Sequence, residues 1–214
     1  IFKPKGMSSF DAVRVVKKVA GTGKVGHTGT LDPEATGVLP ICIGRATKII
    51  DYIMDSEKVY EVTLKLGIRT TTYDLEGEVL EERDPSHLTE EEILNSINSF
   101  KGEYSQIPPM YSALKQNGVR LYELARKGIE VERKGRLINI HNLEDIKINN
   151  PYISMKVTCS KGTYIRSLCY DIGEKLGVFA TMTQLNRAKT SVFSQEKSIN
   201  INELTKENIN DYIL

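Results

Sequence analysis

A chain of 214 residues, 40% of them hydrophobic, is long enough to bury one large core, as a single domain or as a domain with a small appendage. The net charge of +1 conceals an asymmetry: residues 1–50 carry eight basic and three acidic side chains, residues 75–104 two and nine, and residues 115–189 fourteen and seven. Two basic segments around an acidic one indicate either a basic face that meets a polyanion or an ordinary solvated surface.

Several classes of protein are disfavoured by the composition. The three cysteines are odd in number and widely spaced, and the three histidines share no ligand spacing, so we expect neither a disulfide framework nor a metal site. No cofactor motif is present, and we expect no cofactor. No apolar run approaches the roughly 18 residues that span a membrane, and no signal-peptide pattern opens the chain, so we expect a cytoplasmic protein.

The N-terminal segment predicts a helix. Ser8 and Asp11 form a capping-box-like start, and Gly21 supplies the stop. The apolar positions between them recur at helical spacing and predict the buried stripe Val13, Val16, Val19 and Ala20. The run Gly21–Val25 superficially resembles a phosphate-binding loop, but the Walker pattern requires Ser or Thr where Val25 stands.

Residues 26–40, with the sequence GHTGTLDPEATGVLP, predict a loop around Asp32. Glycines allow close approaches that a side chain would block, so a Gly-rich run beside a carboxylate is typical of a pocket that admits a substrate ring. Asp32 followed by Pro33 also fits a helix N-cap with proline at the first helical position. Spacing alone leaves both interpretations open.

The spacing of the apolar residues changes in the next elements. Val38–Ile43 predicts a short buried strand, and Arg45–Asp55 predicts a helix with Ile49, Ile50 and Ile53 inward. An alternating run then predicts a strand with one apolar face, made of Tyr60, Val62, Leu64 and Leu66. Tyr60 begins that face and is either a core tyrosine or part of a pocket.

The acidic segment around residues 75–104 predicts a peripheral insertion with one surface helix, which starts at the capping box of Thr89 and Glu92. Residues 107–112, which include two consecutive prolines, predict a rigid apolar loop. Short helical and strand patterns follow at 121–127 and 131–148.

Ile153–Cys159 predicts another strand, and Thr163 predicts the cap of a helix that Gly177 ends. Arg166 lies in the first turn of that helix, off its apolar stripe, and faces either a site or solvent. Residues 204–214 predict a final helix.

Three separated blocks carry a resemblance to a known family. They are Lys3-Pro4-x-Gly6, then residues 26–40, and then Cys159-Ser160-Lys161-Gly162-Thr163-Tyr164-Ile165-Arg166-Ser167-Leu168. Together with Arg69-Thr70 and residues 109–115 they closely resemble the TruB family of pseudouridine synthases, specifically its bacterial tRNA branch, along nearly the whole chain. One position departs from the family: Thr71 stands where an aspartate is frequent, while Asp74 fits the later acidic position.

The resemblance implies an isomerase that converts a uridine at position 55, in the T-loop of tRNA, to pseudouridine. It assigns Asp32 as the catalytic nucleophile, and leaves open whether base C6 or sugar C1′ is attacked. Tyr60 matches the tyrosine that stacks on the flipped base and takes part in removing the C5 proton, and Arg166 matches the arginine that pairs with the aspartate. The remaining matches are substrate-binding positions: His27, Lys48, Tyr164 and Leu185.

The resemblance also implies an α+β pseudouridine synthase fold with a central mixed, largely antiparallel sheet flanked by helices. We expect one catalytic domain over 1–214 with the acidic insertion at its periphery, and a C-terminal RNA-binding domain of longer relatives that is absent or truncated. The expected partner is the T-arm of tRNA, with no membrane and no obligatory protein partner, and the chain is expected to be a monomer. The alternatives are an RNA-binding chaperone module and a guide-dependent subunit of the archaeal and eukaryotic branch.

Overall fold

The computed structural model describes all 214 residues, which divide into two compact units. The first comprises Ile1–Glu61, Thr158–Lys161 and Gln184–Leu214, and the second comprises Val62–Val157 and Gly162–Thr183. No helix in either unit has the length and apolar character that crossing a membrane requires.

The chain contains five α-helices: α1 (Ser9–Ala20), α2 (Ile50–Met54), α3 (Glu90–Asn98), α4 (Leu121–Ala125) and α5 (Ile165–Leu176). It contains fourteen strands: β1 (Phe2–Lys3), β2 (Val25–His27), β3 (Thr36–Val38), β4 (Ile41–Ile43), β5 (Lys58–Leu66), β6 (Ile68–Thr70), β7 (Val79–Glu82), β8 (Gly102–Gln106), β9 (Lys115–Gln116), β10 (Val119–Arg120), β11 (Arg136–Asn149), β12 (Tyr152–Cys159), β13 (Ala180–Thr190) and β14 (Phe193–Ser194). Short 3-10 helices occupy Gly44–Ile49, Gln195–Lys197, Ile201–Glu203 and Ile209–Tyr212.

The main sheet has eight strands in the order β1-β3-β13-β5-β12-β11-β8, with β14 paired to β13. Strands β3 and β13 run parallel, whereas β1 with β3, β11 with β8 and β13 with β14 are antiparallel. The strand pairs β2–β4, β6–β7 and β9–β10 form three further two-stranded sheets. This arrangement of strands with α-helices confirms the predicted α+β fold with a mixed central sheet.

In the first unit, α1 forms where the sequence predicts it. The Ser8 hydroxyl accepts a hydrogen bond from the backbone N–H of Asp11, and Gly21 ends the helix in the left-handed conformation. Its buried side includes Ala12, Val13 and Val16 and packs against β2 and β4. The helix therefore fixes the position of Ser9, which lies in its first turn.

In the second unit, buried and more exposed residues alternate along β12 and along the greater part of β5. One face of each strand is therefore buried, as predicted. Helix α3 begins with the complete capping box of Thr89 and Glu92 and packs against α5, burying Ile93 and Ile97. Helix α5 ends at Gly177 in the left-handed conformation. The apolar faces of both helices are thus fixed by their sequence period.

Four local predictions are wrong. Val38–Ile43 is two strands in different sheets, because Pro40, which lacks an N–H, ends the first pairing. Arg45–Asp55 is a 3-10 helix followed by α2, and Ile49 is 51% exposed instead of inward. The N-cap of α5 is Tyr164, not Thr163. Residues 204–214 contain only a 3-10 turn, because few apolar positions there recur at a helical period.

We predict that Gly173→Ala destabilises the protein. A Cβ at Gly173, in the middle of α5, would overlap the backbone at Phe179 and Ala180. Overpacking of this kind costs about 1–3 kcal/mol, and because the neighbours are backbone atoms we expect it to exceed the roughly 1 kcal/mol that alanine gains in a helix. Urea unfolding followed by circular dichroism measures the loss. The control is Gly23→Ala, where a Cβ meets nothing within 4 Å; equal stability of the two variants would contradict the prediction.

Candidate active site

Asp32 lies in a loop, not at a helix cap. Residues 33 and 34 form a turn that the Ala35 N–H closes by donating to the Asp32 carbonyl over 3.1 Å, and no helix follows. The N-cap interpretation of Asp32 is therefore wrong. Its carboxylate has no helix N-terminus to satisfy, which leaves chemistry or a local interaction as its role.

The residues on both sides of Asp32 are held by the N-terminal segment. The Ser9 hydroxyl accepts from the Leu31 N–H over 2.8 Å and donates to the Leu31 carbonyl over 2.9 Å. On the other side, the Pro33 carbonyl accepts from Lys3 Nζ over 3.2 Å and from the Gly6 N–H over 2.9 Å. Four hydrogen bonds to the two neighbouring residues fix the backbone from which the Asp32 side chain projects.

Lys3 is a fully buried cation in this arrangement. Its Nζ also donates to the carbonyls of Pro4 over 2.9 Å and Met7 over 2.7 Å, so three carbonyls replace its hydration. Burial lowers the pKa of Lys3 to about 8, while the carboxylates of Asp32 and Glu34 act in the opposite direction. Lys3 therefore stays largely charged at neutral pH and favours a negative charge on the loop.

The far end of the loop requires glycine. Gly37 has a φ of 117° and lies beside Arg187 in the parallel pair of β3 and β13, where any Cβ would overlap the Arg187 backbone. This close approach anchors the end of the Asp32 loop directly on β13.

Tyr60 lies on β5 with its ring buried. Burial raises the pKa of its hydroxyl, the charge of the Arg187 guanidinium lowers it, and the Asp32 carboxylate raises it. Asp32 and Tyr60, which the sequence places 28 positions apart, thus belong to the same unit and interact electrostatically. The pair combines a carboxylate with a buried aromatic ring.

The other candidates of the first unit differ in their surroundings. Burial and the charge of Arg187 lower the pKa of His27, so its ring is neutral at pH 7, and its Nδ1 is buried without a hydrogen-bond partner in the chain. The Leu185 carbonyl accepts from the Thr36 hydroxyl over 3.5 Å, so it adjoins the Asp32 loop. Lys48 is exposed on the 3-10 helix, where its charge is available to a polyanion.

Arg166 and Tyr164 belong to the second unit. Arg166 is 6% exposed, so the solvent-facing alternative is wrong. Its guanidinium donates to the carbonyls of Thr72 over 3.1 Å and Tyr111 over 2.8 Å, and pairs with Asp74 over 3.6 Å. Asp74 in turn accepts from the Thr72 hydroxyl, so several interactions hold this arginine in one orientation.

The backbone of Tyr164 is held by a buried amide. Gln106 Oε1 accepts from the Tyr164 N–H over 2.8 Å, and Gln106 Nε2 donates to the Tyr164 carbonyl over 3.1 Å and to the Tyr104 hydroxyl over 2.7 Å. Tyr104 contacts Asp171, whose pKa is raised to about 6 by burial. Because Tyr164 is the N-cap of α5, Gln106 fixes the start of the helix that carries Arg166.

Sequence reasoning missed four residues that support these candidates: Ser9, Gln106, Asp74 as the ion-pair partner of Arg166, and Arg187. For Arg187 a signal existed, since it follows Leu185 at the two-residue spacing of one strand face and is a charged residue in a largely uncharged strand. Asp74 stands at an acidic position of the family pattern, but that match did not identify its partner. Ser9 and Gln106 are polar residues in ordinary contexts and carry no such signal. No group of three or more His, Cys, Asp or Glu side chains could hold a metal ion.

Two solved structures share this fold. The structure of a Cbf5-Nop10-Gar1 complex matches 95% of this chain and 51% of its own with 30% identity and a TM-score of 0.73. The archaeal box H/ACA sRNP Nop10-Cbf5 complex matches 99% of this chain and 56% of its own with 26% identity and a TM-score of 0.71. The chain spans about half the length of these two matched chains.

Sequence relatives are more similar still. "tRNA pseudouridine synthase B" of Clostridium tetani (strain Massachusetts / E88) is 62% identical over all of this chain and 74% of the relative. The same-named protein of Clostridium perfringens (strain ATCC 13124) is 65% identical over all of this chain and 73% of the relative. Residues 17–165 match the family model "TruB family pseudouridylate synthase (N terminal domain)", and residues 166–212 match "tRNA pseudouridylate synthase B C-terminal domain". With identity this high across its whole length, the chain belongs to the TruB family of pseudouridine synthases.

Proposed function

We propose that this chain isomerises a T-loop uridine of tRNA to pseudouridine, with Asp32 as the nucleophile. The observation that carries the proposal is the Asp32 loop itself: its two neighbouring residues are held by Ser9, Lys3 and Gly6, and the carboxylate interacts with the buried Tyr60. The name shared by the Clostridium relatives supports tRNA as the substrate.

The proposed reaction conserves all atoms of the nucleoside. Asp32 attacks the nucleoside, the bond between N1 and C1′ breaks, the base turns, and C5 forms the new bond to C1′. The bond between Asp32 and the nucleoside breaks before the product leaves, and its electron pair restores the carboxylate. The proton on C5 leaves and N1 gains one, so the product is an isomer of the substrate. Attack of Asp32 at base C6 or at sugar C1′ leads to the same broken bond.

Tyr60 has two roles in this scheme. Its ring supplies the platform on which a flipped base stacks, and its hydroxyl takes part in removing the C5 proton. Burial raises the pKa of the hydroxyl, which opposes a proton-accepting role, but part of the rise comes from the Asp32 carboxylate. When Asp32 is bonded to the substrate its negative charge is lost, and the ionised form of Tyr60, which is the form that accepts a proton, then becomes easier to reach.

The remaining candidates bind and orient the substrate. Flipping a base out of its stack costs a few kcal/mol even when the base is unpaired, and contacts to the phosphates around the base must offset that cost. The exposed Lys48 supplies one such charge, and His27, Tyr164 and Leu185 match substrate-binding positions of the family. Arg166 matches the family arginine that pairs with the catalytic aspartate, and a guanidinium suits that role because it can donate to both oxygens of a carboxylate.

A guide-dependent subunit is the second candidate, since Cbf5 was solved in complex with Nop10 and Gar1. The much higher identity to the bacterial tRNA enzymes favours a stand-alone monomer that acts on tRNA in the cytoplasm without an obligatory protein partner.

The first test is isomerisation by the purified chain alone. With an unmodified tRNA transcript carrying tritium at uridine C5, we expect tritium release without guide RNA, ATP or another protein. Asp32→Asn keeps the shape but removes the nucleophile, so we expect no release and a tRNA affinity within about tenfold of wild type, since phosphate contacts dominate binding. The matched control is Asp211→Asn, at an exposed carboxylate. Release by Asp32→Asn at the wild-type rate would remove Asp32 from the mechanism.

For Tyr60 we predict that phenylalanine and leucine differ. Tyr60→Phe keeps base stacking, worth about 1–3 kcal/mol per base, but lacks the hydroxyl for the proton step. Its tRNA affinity should survive while turnover falls, whereas Tyr60→Leu should lose both. Filter binding and tritium release measure the two effects, with Tyr152→Phe on an exposed strand position as the control. Turnover of Tyr60→Phe at the wild-type rate would rule out the hydroxyl.

Arg166→Lys is predicted to be severely impaired although the charge is kept. An ammonium on a flexible stem cannot reproduce the planar set of donors that engages Thr72, Tyr111 and Asp74. Misplacement by about 1 Å can cost on the order of a hundredfold in rate. Single-turnover rates at saturating enzyme measure the loss without binding effects, and Arg136→Lys at an exposed position is the control. A rate within a few-fold of wild type would show that charge alone suffices.

A further inference from the structure

Arg187 is a charged side chain with no role of its own in the proposed reaction. It lies on β13, is 1% exposed and is among the largest fully buried side chains of the chain. A guanidinium in such a position is retained only if its donors are satisfied. Its Nε donates to the Val38 carbonyl over 2.8 Å, and its Nη2 donates to the Gly29 carbonyl over 3.2 Å.

These two carbonyls stand at the two ends of the segment that carries Asp32. Gly29 precedes Asp32 by three residues and Val38 follows it by six, so one planar group joins both ends of the loop. The Arg187 backbone adds a third connection through its register with Gly37. Ser9 and Lys3 bind the residues on either side of Asp32, whereas Arg187 binds both ends of the loop.

The same guanidinium acts on the second reacting side chain. Its positive charge favours the ionised form of the Tyr60 hydroxyl. Arg187 also contributes to keeping His27 neutral, since its charge lowers the pKa of that ring. One buried cation is thus hydrogen-bonded to the Asp32 loop and acts by its charge on Tyr60.

We propose that Arg187 is a positioning residue for the reaction, which sets the position of the Asp32 carboxylate relative to the Tyr60 hydroxyl by holding both ends of the Asp32 loop on one rigid guanidinium. The proposal rests on the proposed function of this site. Lysine cannot replace arginine in this role, because a single ammonium on a flexible stem lacks the fixed geometry that bonds two separate carbonyls at once.

The first experiment measures coupling between the two side chains. Single-turnover rates at saturating enzyme are compared for wild type, Arg187→Lys, Tyr60→Phe and the double variant, with Lys189→Met, an exposed charge on the same strand, as the control. We expect Arg187→Lys to lose on the order of a hundredfold in rate while tRNA affinity changes by less than about tenfold. Tyr60→Phe should then lose clearly less in the Arg187→Lys background than in wild type. A merely structural role predicts independent effects that multiply, and that result would overturn the proposal.

The second experiment needs no activity, and its nitrogen-15 measurement needs no variant of Arg187. In protein labelled with nitrogen-15 in arginine, the Nε–H of Arg187 should exchange slowly with solvent, and its signal should shift in Tyr60→Phe but not in Tyr152→Phe. In protein labelled with carbon-13 at tyrosine Cζ, the Tyr60 signal should shift in Arg187→Lys and not in Lys189→Met. Unchanged signals would overturn the link between Arg187 and Tyr60 even if Arg187→Lys fails to fold. Absence of turnover in wild type, with these shifts present, would instead count against the proposed function alone.

Discussion

The candidate site depends on hydrogen bonds from buried donors to the backbone of the Asp32 loop. Ser9 holds Leu31, Lys3 holds Pro33, and Arg187 holds Gly29 and Val38. The residues around Asp32 belong to no helix or strand that would restrict them, and a freely moving carboxylate would be a poor nucleophile because orientation supplies much of a catalytic rate. The donors replace the regular hydrogen-bond ladder that a helix or strand would have provided.

Two of these donors are full charges buried in the first unit. Burying Lys3 and Arg187 is unfavourable in itself, and the pKa of Lys3, lowered to about 8, shows the size of that effect. Backbone carbonyls satisfy the donors without neutralising them. The remaining positive charge therefore acts on Asp32 and Tyr60, the residues for which an ionised form is chemically useful.

In the second unit the same principle recurs with different groups. Arg166 is fixed by two carbonyls and by Asp74, and Gln106 fixes the residue at which α5 starts. Asp74 acquires a definite role here as the buried partner of an arginine, at the acidic position where the sequence still matches the family pattern after Thr71 departs from it.

The sequence by itself determined the elements whose signals are local. The period of β5 and β12, the cap of α1 at Ser8 and the capping box of α3 depend on residues a few positions apart, and the motif around Asp32 carried the family and the candidate nucleophile. Tertiary structure decided what depends on distant residues: that Asp32 follows no helix, that Arg166 is buried, and that Arg187 reaches Gly29 and Val38, 158 and 149 positions away. A hydrogen bond between such positions leaves no period or spacing in a single sequence, because the partner is a backbone carbonyl that any residue type can supply.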